Sequence, residues 1–351
     1  FLVTILLYQC YNFSFCIHYR TTYGLFEAVR WLTDDAVYMD GASITAEDVR
    51  CADAMIVRTR TRCDERLLAG SSVRFVATAT IGYDHLDTQW LDRAGIGWTN
   101  CPGCNAASVA QYVRSSLLLL CRYYGLVPQE TTLGVVGCGH VGSRVVRVGE
   151  ELGFRMLVCD PPVGAPGYVP LSEIERRADI ITFHVPLTKD GPYATWHMAD
   201  ESFFSRLSRC PFIINSSRGA VVDNAALLSS LRAGRARQAV VDTWEGEPAI
   251  NRELLDTVFI GTPHIAGYSA DGKVNADNMA LAALCRHFGL TPPPPILPPP
   301  LPEDFVYTGD PLQLYDPMED SRRLKAAPER FEWFRGNYPL RRETAKPTPT
   351  A

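Results

Sequence analysis

An arginine, a carboxylate and a histidine stand in three short segments far apart in the chain. Arg218 lies in SSRGAVVD (216–223), Glu247 in WEGEP (244–248) and His264 in GTPHIAG (261–267). A guanidinium can grip a carboxylate with two parallel N–H donors. An imidazole moves a proton near neutral pH, and a neighbouring carboxylate fixes the ring and favours its charged form. The three together suit hydride transfer at a carbon bonded to a carboxylate, with the histidine handling the hydroxyl proton. Singly, each has an ordinary alternative as a surface arginine, a solvated glutamate or a structural histidine, so placement decides.

The elements that must position them follow from the hydrophobic pattern. Apolar runs of strand length occur at Leu133–Val136, Met156–Cys159, Ile180–Phe183, Phe212–Ile214, Ala239–Val241 and Val258–Ile260, with helical stretches such as Val141–Leu152 and Asn224–Ala233 between them. Near-continuous apolar strands alternating with helices predict an α/β fold, a doubly wound parallel sheet covered on both faces. Arg218, Glu247 and His264 each follow one of these strands. Ligands of such sheets bind beyond the carboxyl ends of the strands, so the spacing predicts that the three converge.

A glycine-rich loop supplies a nucleotide site. Gly137-Cys138-Gly139-His140-Val141-Gly142 follows the first of these strands and opens a helix. Gly137 allows the tight turn, Gly139 lets the backbone approach a pyrophosphate at the helix N-terminus, and Gly142 permits close packing. The next strand ends at Asp160, followed by Pro161 and Pro162. A carboxylate there binds ribose hydroxyls and repels a 2′-phosphate, which predicts NAD rather than NADP.

A smaller α/β unit is expected upstream, over about 16–104, with strands at Ala54–Arg58, Phe75–Ala77 and Gly97–Thr99 and helices at Asp64–Ala69 and Thr88–Ala94. The helix Ala106–Tyr124 joins the two units. The expected division is a substrate domain (1–104 with 266–288), a nucleotide domain (105–265), a proline-rich linker (289–302), a small C-terminal module (303–343) and a disordered tail (344–351). The linker rests on TPPPPILPPPLP (291–302), whose prolines favour an extended, semi-rigid chain.

Composition narrows the classes. With 351 residues, a net charge of −5, 46% hydrophobic and 21% charged residues, the chain reads as a globular protein of two or three units without the basic surface that nucleic acid needs. Its 11 cysteines are odd in number and irregularly spaced, which predicts reduced thiols and a cytoplasmic setting rather than a disulfide framework. Cys101-Pro102-Gly103-Cys104 lacks the second pair that a zinc site needs, and no metal is expected. A redox dithiol is the alternative to two thiols in a Pro-Gly turn, and the turn is favoured. The uncharged first 19 residues lack the basic n-region of a signal peptide, and polar residues interrupt the run a membrane helix would need. A buried strand with an irregular lead-in is expected there. The chain opens on Phe1 rather than Met, so its native start is expected to differ from the sequence given.

The glycine loop, SSRGAVVD and TPHIAG resemble the D-isomer-specific 2-hydroxyacid dehydrogenases, over roughly 36–343. Narrower matches are PGCNA (102–106), CDPP (159–162), HVPL (184–187) running into KDGPY (189–193), WEGEP, Gly267-Tyr268 and Gly272-Lys273. These point to a branch acting on a small phosphorylated 2-hydroxy acid. The resemblance implies Arg218, Glu247 and His264 as catalytic residues. It implies Asp160, Val185, Ser216, Ser217, Asp242 and Gly267 at NAD, beside the loop Gly137, Gly139, His140, Val141 and Gly142. It implies Thr59, Thr80 and Tyr268 at the substrate. Gly82, in Thr80-Ile81-Gly82-Tyr83, is expected to present backbone N–H groups, and Arg58 and Arg60 are candidates for the substrate's phosphate. The family's last module pairs two chains, which implies a homodimer. Two alternatives stay open: a dehydrogenase of phosphoglycerate or hydroxypyruvate, and a non-catalytic module that senses NADH on the same fold.

Overall fold

A computed structural model describes residues 3–8, 15–17 and 24–345, arranged as two compact units. Among the described residues, the first comprises those up to 105 with 269–306 and 340–345, and the second 106–268 and 307–339.

The first unit runs β1 (Val3–Tyr8), β2 (Phe15–Ile17), α1 (Leu25–Leu32), β3 (Ala36–Asp40), α2 (Ala46–Val49), β4 (Ala52–Val57), α3 (Glu65–Leu68), β5 (Phe75–Thr78), α4 (Thr88–Ala94) and β6 (Gly97–Thr99). The sheet order is β2-β3-β1-β4-β5-β6, with β1 antiparallel to both β3 and β4 and the other pairs parallel. The expected N-terminal strand is therefore present as backbone, while its lead-in and side chains lie outside the described residues. Every residue of β4 is buried because both faces are covered. Ala54 and Ile56 face the cluster that includes Leu281 and Leu284, whereas Met55 and Val57 face Leu67, Leu68 and Leu91 of α3 and α4.

The proline-rich segment, expected as an extended, semi-rigid linker, is tied down at one residue. Ile296 is buried in the core, and the Asn278 side chain both donates to its carbonyl and accepts from its N–H, each at 2.9 Å. One isoleucine among prolines suffices to anchor the extended chain. The Cys101–Cys104 pair keeps the favoured reading, two thiols in a Pro-Gly turn, and both are buried in the core. Cys101 Sγ donates to the Ala276 carbonyl, and burial pushes the two thiols up to about 12 and 11. Neither supplies the thiolate that dithiol chemistry requires.

The second unit starts with α5 (Ala106–Tyr124) and continues β7 (Thr132–Val136), α6 (Gly142–Leu152), β8 (Arg155–Cys159), α7 (Leu171–Arg177), β9 (Ile180–Phe183), α8 (Glu201–Arg206), β10 (Phe212–Asn215), α9 (Asn224–Arg232), β11 (Gln238–Val241), α10 (Arg252–Thr257) and β12 (Ile260–Gly261). All pairs are parallel, in the order β12-β11-β10-β9-β7-β8. Alternate residues enter opposite cores: Ile181 and Phe183 meet Phe203, and Ile180 lies with Leu133 and Leu120. The expected strand at Val258–Ile260 is shorter because Val258 caps α10. The order reverses between β7 and β9, which marks the crevice where such sheets bind nucleotides.

Chain order then passes through α11 (Ala270–Phe288), which belongs to the first unit, to α12 (Pro317–Ala326) and α13 (Phe331–Gly336), which belong to the second. The C-terminal region was expected as a separate module over 303–343. Instead 307–339 builds onto the nucleotide unit and 340–345 onto the first. Leu324 and Phe331 are buried in the same cluster as Phe203, and Ser321 Oγ accepts the Gly261 N–H at 3.0 Å. This hydrogen bond covers the open side of the edge strand β12. Among the described residues no helix is long and apolar enough to cross a membrane.

Candidate active site

The glycine loop has the shape its spacing predicts. Gly137 has φ +88°, and a Cβ there would stand 2.7 Å from both the His184 carbonyl oxygen and Val185 Cγ1. A Cβ on Gly142 would sit 1.9 Å from the Gly137 oxygen, so the helix start packs directly on the turn. A Cβ on Gly139 would meet nothing within 4 Å, leaving open space at the position where a pyrophosphate approaches. His140 is exposed and Val141 half-buried at the same rim.

Asp160, just beyond β8, accepts the Cys138 N–H at 2.7 Å with Oδ2 and the Val163 N–H with Oδ1. Its carboxylate is thus held against the glycine loop, where ribose recognition needs it. Two polar atoms nearby in the fold are buried with no hydrogen-bond partner, Ser216 Oγ after β10 and His184 Nδ1 after β9. His184 Nε2 is 2.9 Å from Thr182 Oγ1, and burial pushes its imidazole down to about 3, so the ring is neutral. Orphaned polar atoms at the carboxyl ends of adjacent parallel strands fit a polar ligand that completes their bonding. The residues present therefore suit NAD. If Asp160 is the ribose ligand that the resemblance implies, Asp160→Ala should weaken NAD affinity by about 10-fold and narrow its lead over NADP, since the same carboxylate also braces the glycine loop. Titrating both cofactors checks this, and an unchanged NAD:NADP ratio would remove Asp160 from ribose recognition.

Glu247 and His264 meet directly. His264 Nδ1 lies 2.8 Å from Glu247 Oε2, and Glu247 Oε1 accepts the Trp244 N–H at 2.8 Å. Burial alone would push the Glu247 carboxyl up, but the hydrogen bond and charge of His264, the Trp244 N–H and Arg335 together hold it below the usual carboxylate range. An ionised carboxylate only accepts, so Nδ1 carries the proton of the neutral imidazole and Nε2 is the basic nitrogen.

Asp242 fixes the histidine loop. Its buried carboxylate accepts from Thr262 Oγ1 at 2.7 Å and from the Ile265 and Ala266 N–H groups at 2.8 and 2.9 Å. His264 itself has φ +56°, a left-handed conformation that costs a residue with a Cβ. Trp244 Nε1 donates to the Thr262 carbonyl at 2.9 Å, joining the loops of Glu247 and His264.

The Arg218 loop is packed against the same structure. A Cβ on Gly219 would lie 1.9 Å from the Trp244 carbonyl oxygen, so only glycine allows the approach. Asn215 Oδ1 accepts from Ser217 N and Oγ, its Nδ2 donates to the Arg218 carbonyl, and Arg218 Nη1 donates to the Ser217 carbonyl. A further network secures both loops. His197 Nε2 lies 2.7 Å from Glu245 Oε1, Glu245 Oε2 accepts the Asn224 N–H, and His197 Nδ1 is 3.5 Å from Asp223. These three side chains could surround a cation, but their atoms already pair with one another and with backbone.

Of the substrate candidates, Tyr268 closes the second unit and Gly267 precedes it. Thr59, Thr80 and Gly82 belong to the first unit, where Thr80 Oγ1 donates to the Gly82 carbonyl at 2.8 Å. Arg58 does not stand open for a phosphate. It is buried, with Nη2 2.8 Å from Asp277 Oδ1, and the half-buried Lys273 lies near them with its amine pushed down to about 8, chiefly by desolvation and by the Arg58 charge. Arg60 is exposed. Sequence reading missed His184, Asn215, His197 and Arg335. Only His184 carried a local signal, in the HVPL segment.

The comparisons agree with this architecture. Residues 108–266 match the model of the D-isomer specific 2-hydroxyacid dehydrogenase, NAD binding domain. An erythronate-4-phosphate dehydrogenase from Bacteroides thetaiotaomicron is 50% identical over 325 residues, covering 90% of this chain and 93% of that protein. Another from Edwardsiella ictaluri is 43% identical over 336 residues, covering 90% of each. Among solved structures, the NAD+-bound 3-phosphoglycerate dehydrogenase of Entamoeba histolytica superposes with a TM-score of 0.64 at 24% identity, covering 78% of this chain and 94% of that one, which shows the shared fold. With identity of this order along nearly all of both chains, the chain belongs to the erythronate-4-phosphate dehydrogenases, NAD-dependent oxidoreductases of the D-isomer-specific 2-hydroxyacid dehydrogenase family.

Proposed function

We propose that the protein oxidises 4-phospho-D-erythronate to (R)-3-hydroxy-2-oxo-4-phosphooxybutanoate, a step of vitamin B6 synthesis. The observation that carries the reading is the 2.8 Å Glu247–His264 pair, set at strand ends beside the Arg218 loop in a nucleotide-binding unit. The narrow sequence matches and the names of the relatives specify the substrate.

Gly137, Gly139, Gly142, Asp160, Val185, Ser216 and Ser217 would hold NAD, which would supply the hydride acceptor for the carbinol carbon. Arg218 grips the substrate carboxylate in a bidentate pair. His264 Nε2 takes the hydroxyl proton, and Glu247 stabilises the imidazolium that results. Substrate thus loses one hydride and one proton. Thr59, Thr80, Gly82 and Tyr268 contact the substrate, and Arg60 remains the arginine candidate for its phosphate. Asp242 acts on the cofactor side through the 262–266 loop that it ties down. Two chains pair through the C-terminal region, whose Trp333 is half-exposed. A cytoplasmic setting suits described cysteines that are all unpaired thiols.

The test is NADH formation from NAD with 4-phosphoerythronate, beside 3-phosphoglycerate, hydroxypyruvate (in the reverse direction, with NADH), glycerate and lactate. A clear preference for 4-phosphoerythronate supports the proposal. Preference for another acid keeps the mechanism and overturns the substrate. Tight NADH binding without turnover on any of them would favour a sensor.

A further inference from the structure

We infer that Arg335 of α13 is a positioning residue for this site, coupling Glu247 to Tyr268 from the C-terminal region. This rests on the reading of Glu247 and His264 as the proton-handling pair. Arg335 Nη1 lies 3.9 Å from Glu247 Oε2, the same oxygen that meets His264, and 3.6 Å from Glu332 Oε1 one helical turn back. Tyr268 lies close enough to Arg335 to favour its charged form, and the Tyr268 ring meets Tyr338 edge-on at 6.2 Å. One guanidinium therefore stands beside the carboxylate that orients the base and the tyrosine implied at the substrate.

The surroundings show that this placement is held against a cost. Arg335 Nε is buried with no hydrogen-bond partner, an arrangement the fold tolerates only if the rest of the side chain is well fixed. The helix carrying it is anchored by Phe331, which is buried in the main core of the unit. A planar guanidinium can serve two partners in fixed directions, which a flexible ammonium does less well. At 3.9 Å from an oxygen already bonded to His264, Arg335 acts on Glu247 by charge and orientation rather than by taking over its hydrogen bond. Loss of the cation would free Glu247 to turn away from Nδ1 and release Tyr268 from its brace.

The experiment is a double-mutant cycle on the full chain, using Arg335→Met, Glu247→Gln and both together, with Arg335→Lys as the conservative variant. Steady-state oxidation of the preferred hydroxy acid and NADH titration are measured for each. Expected is a drop in kcat of about 10-fold for Arg335→Met, with NADH affinity unchanged, and less than about 2-fold further loss when it is added to Glu247→Gln. Arg335→Lys should recover to within about 3-fold of the parent, since it keeps the charge. Equal losses in both backgrounds would show that Arg335 does not act through Glu247. Weakened NADH binding that Lys does not restore would reduce Arg335 to scaffold; either result overturns the inference. If Arg335→Met does not fold, Arg335→Gln takes its place in the same cycle. A silent Glu247→Gln would overturn the proton-pair reading itself, and this inference with it.

Discussion

His264→Ala is expected to lower turnover on the order of 10³-fold or more while NADH affinity stays within about two-fold. The substitution removes Nε2, the nitrogen left basic when Nδ1 donates to Glu247. No other described base touches Glu247 in its place; the remaining partners are the Trp244 N–H and the Arg335 cation, neither of which accepts a proton. The glycine loop, Asp160 and the orphaned Ser216 and His184 atoms are untouched, so the nucleotide site persists. Arg218→Ala should follow the same pattern, because its loop is held by Asn215 and by the Gly219–Trp244 approach rather than by its own guanidinium alone. Steady-state rates beside fluorescence titration of NADH separate the two effects. Cofactor affinity lost in proportion to turnover would mark His264 as structural.

Gly142→Ala is expected to abolish measurable NADH binding. The new Cβ would stand 1.9 Å from the Gly137 oxygen and 2.8 Å from its carbonyl carbon, both backbone atoms that no rotamer change can move aside. The turn must open, and the overpacking should cost about 1–3 kcal/mol of stability. Gly139→Ala makes the informative contrast. Its Cβ meets nothing in the protein, so melting should be unchanged while NADH affinity falls, because the methyl group occupies the approach of the pyrophosphate. Melting curves with and without NADH distinguish the pair. Normal NADH binding by Gly139→Ala would mean that the phosphates lie elsewhere.

The nucleotide unit was largely legible because its signals are local. Strand periodicity placed β7 to β11 within a residue or two, and the glycine spacing placed the loop. Placement of Arg218, Glu247 and His264 after three strands followed from parallel topology. What stayed hidden depends on partners distant in sequence. Arg335 reads as one more charge in a short helix until folding sets it beside Glu247. Arg58 looks available beside Thr59 until Asp277 arrives on α11. Ile296 is a single apolar residue among prolines, too little for a periodic signal, yet it is buried. Asp242 suggested cofactor contact, while its visible work is to accept three hydrogen bonds from the loop of His264.

The left-handed backbone at His264 stores strain at the residue that carries the base. At φ +56° a residue with a Cβ carries a penalty of about 1–2 kcal/mol that glycine escapes. The conformation persists because Asp242 fixes the neighbouring backbone N–H groups regardless of which side chain stands there. Once the imidazole is gone, nothing recommends any side chain at this point. His264→Gly should therefore melt above His264→Ala, although both are inactive; equal melting temperatures would mean that the loop relaxes away from the strained geometry when the histidine is lost. Both variants lose the same hydrogen bond to Glu247, so the difference between their melting temperatures isolates the backbone strain stored under the base.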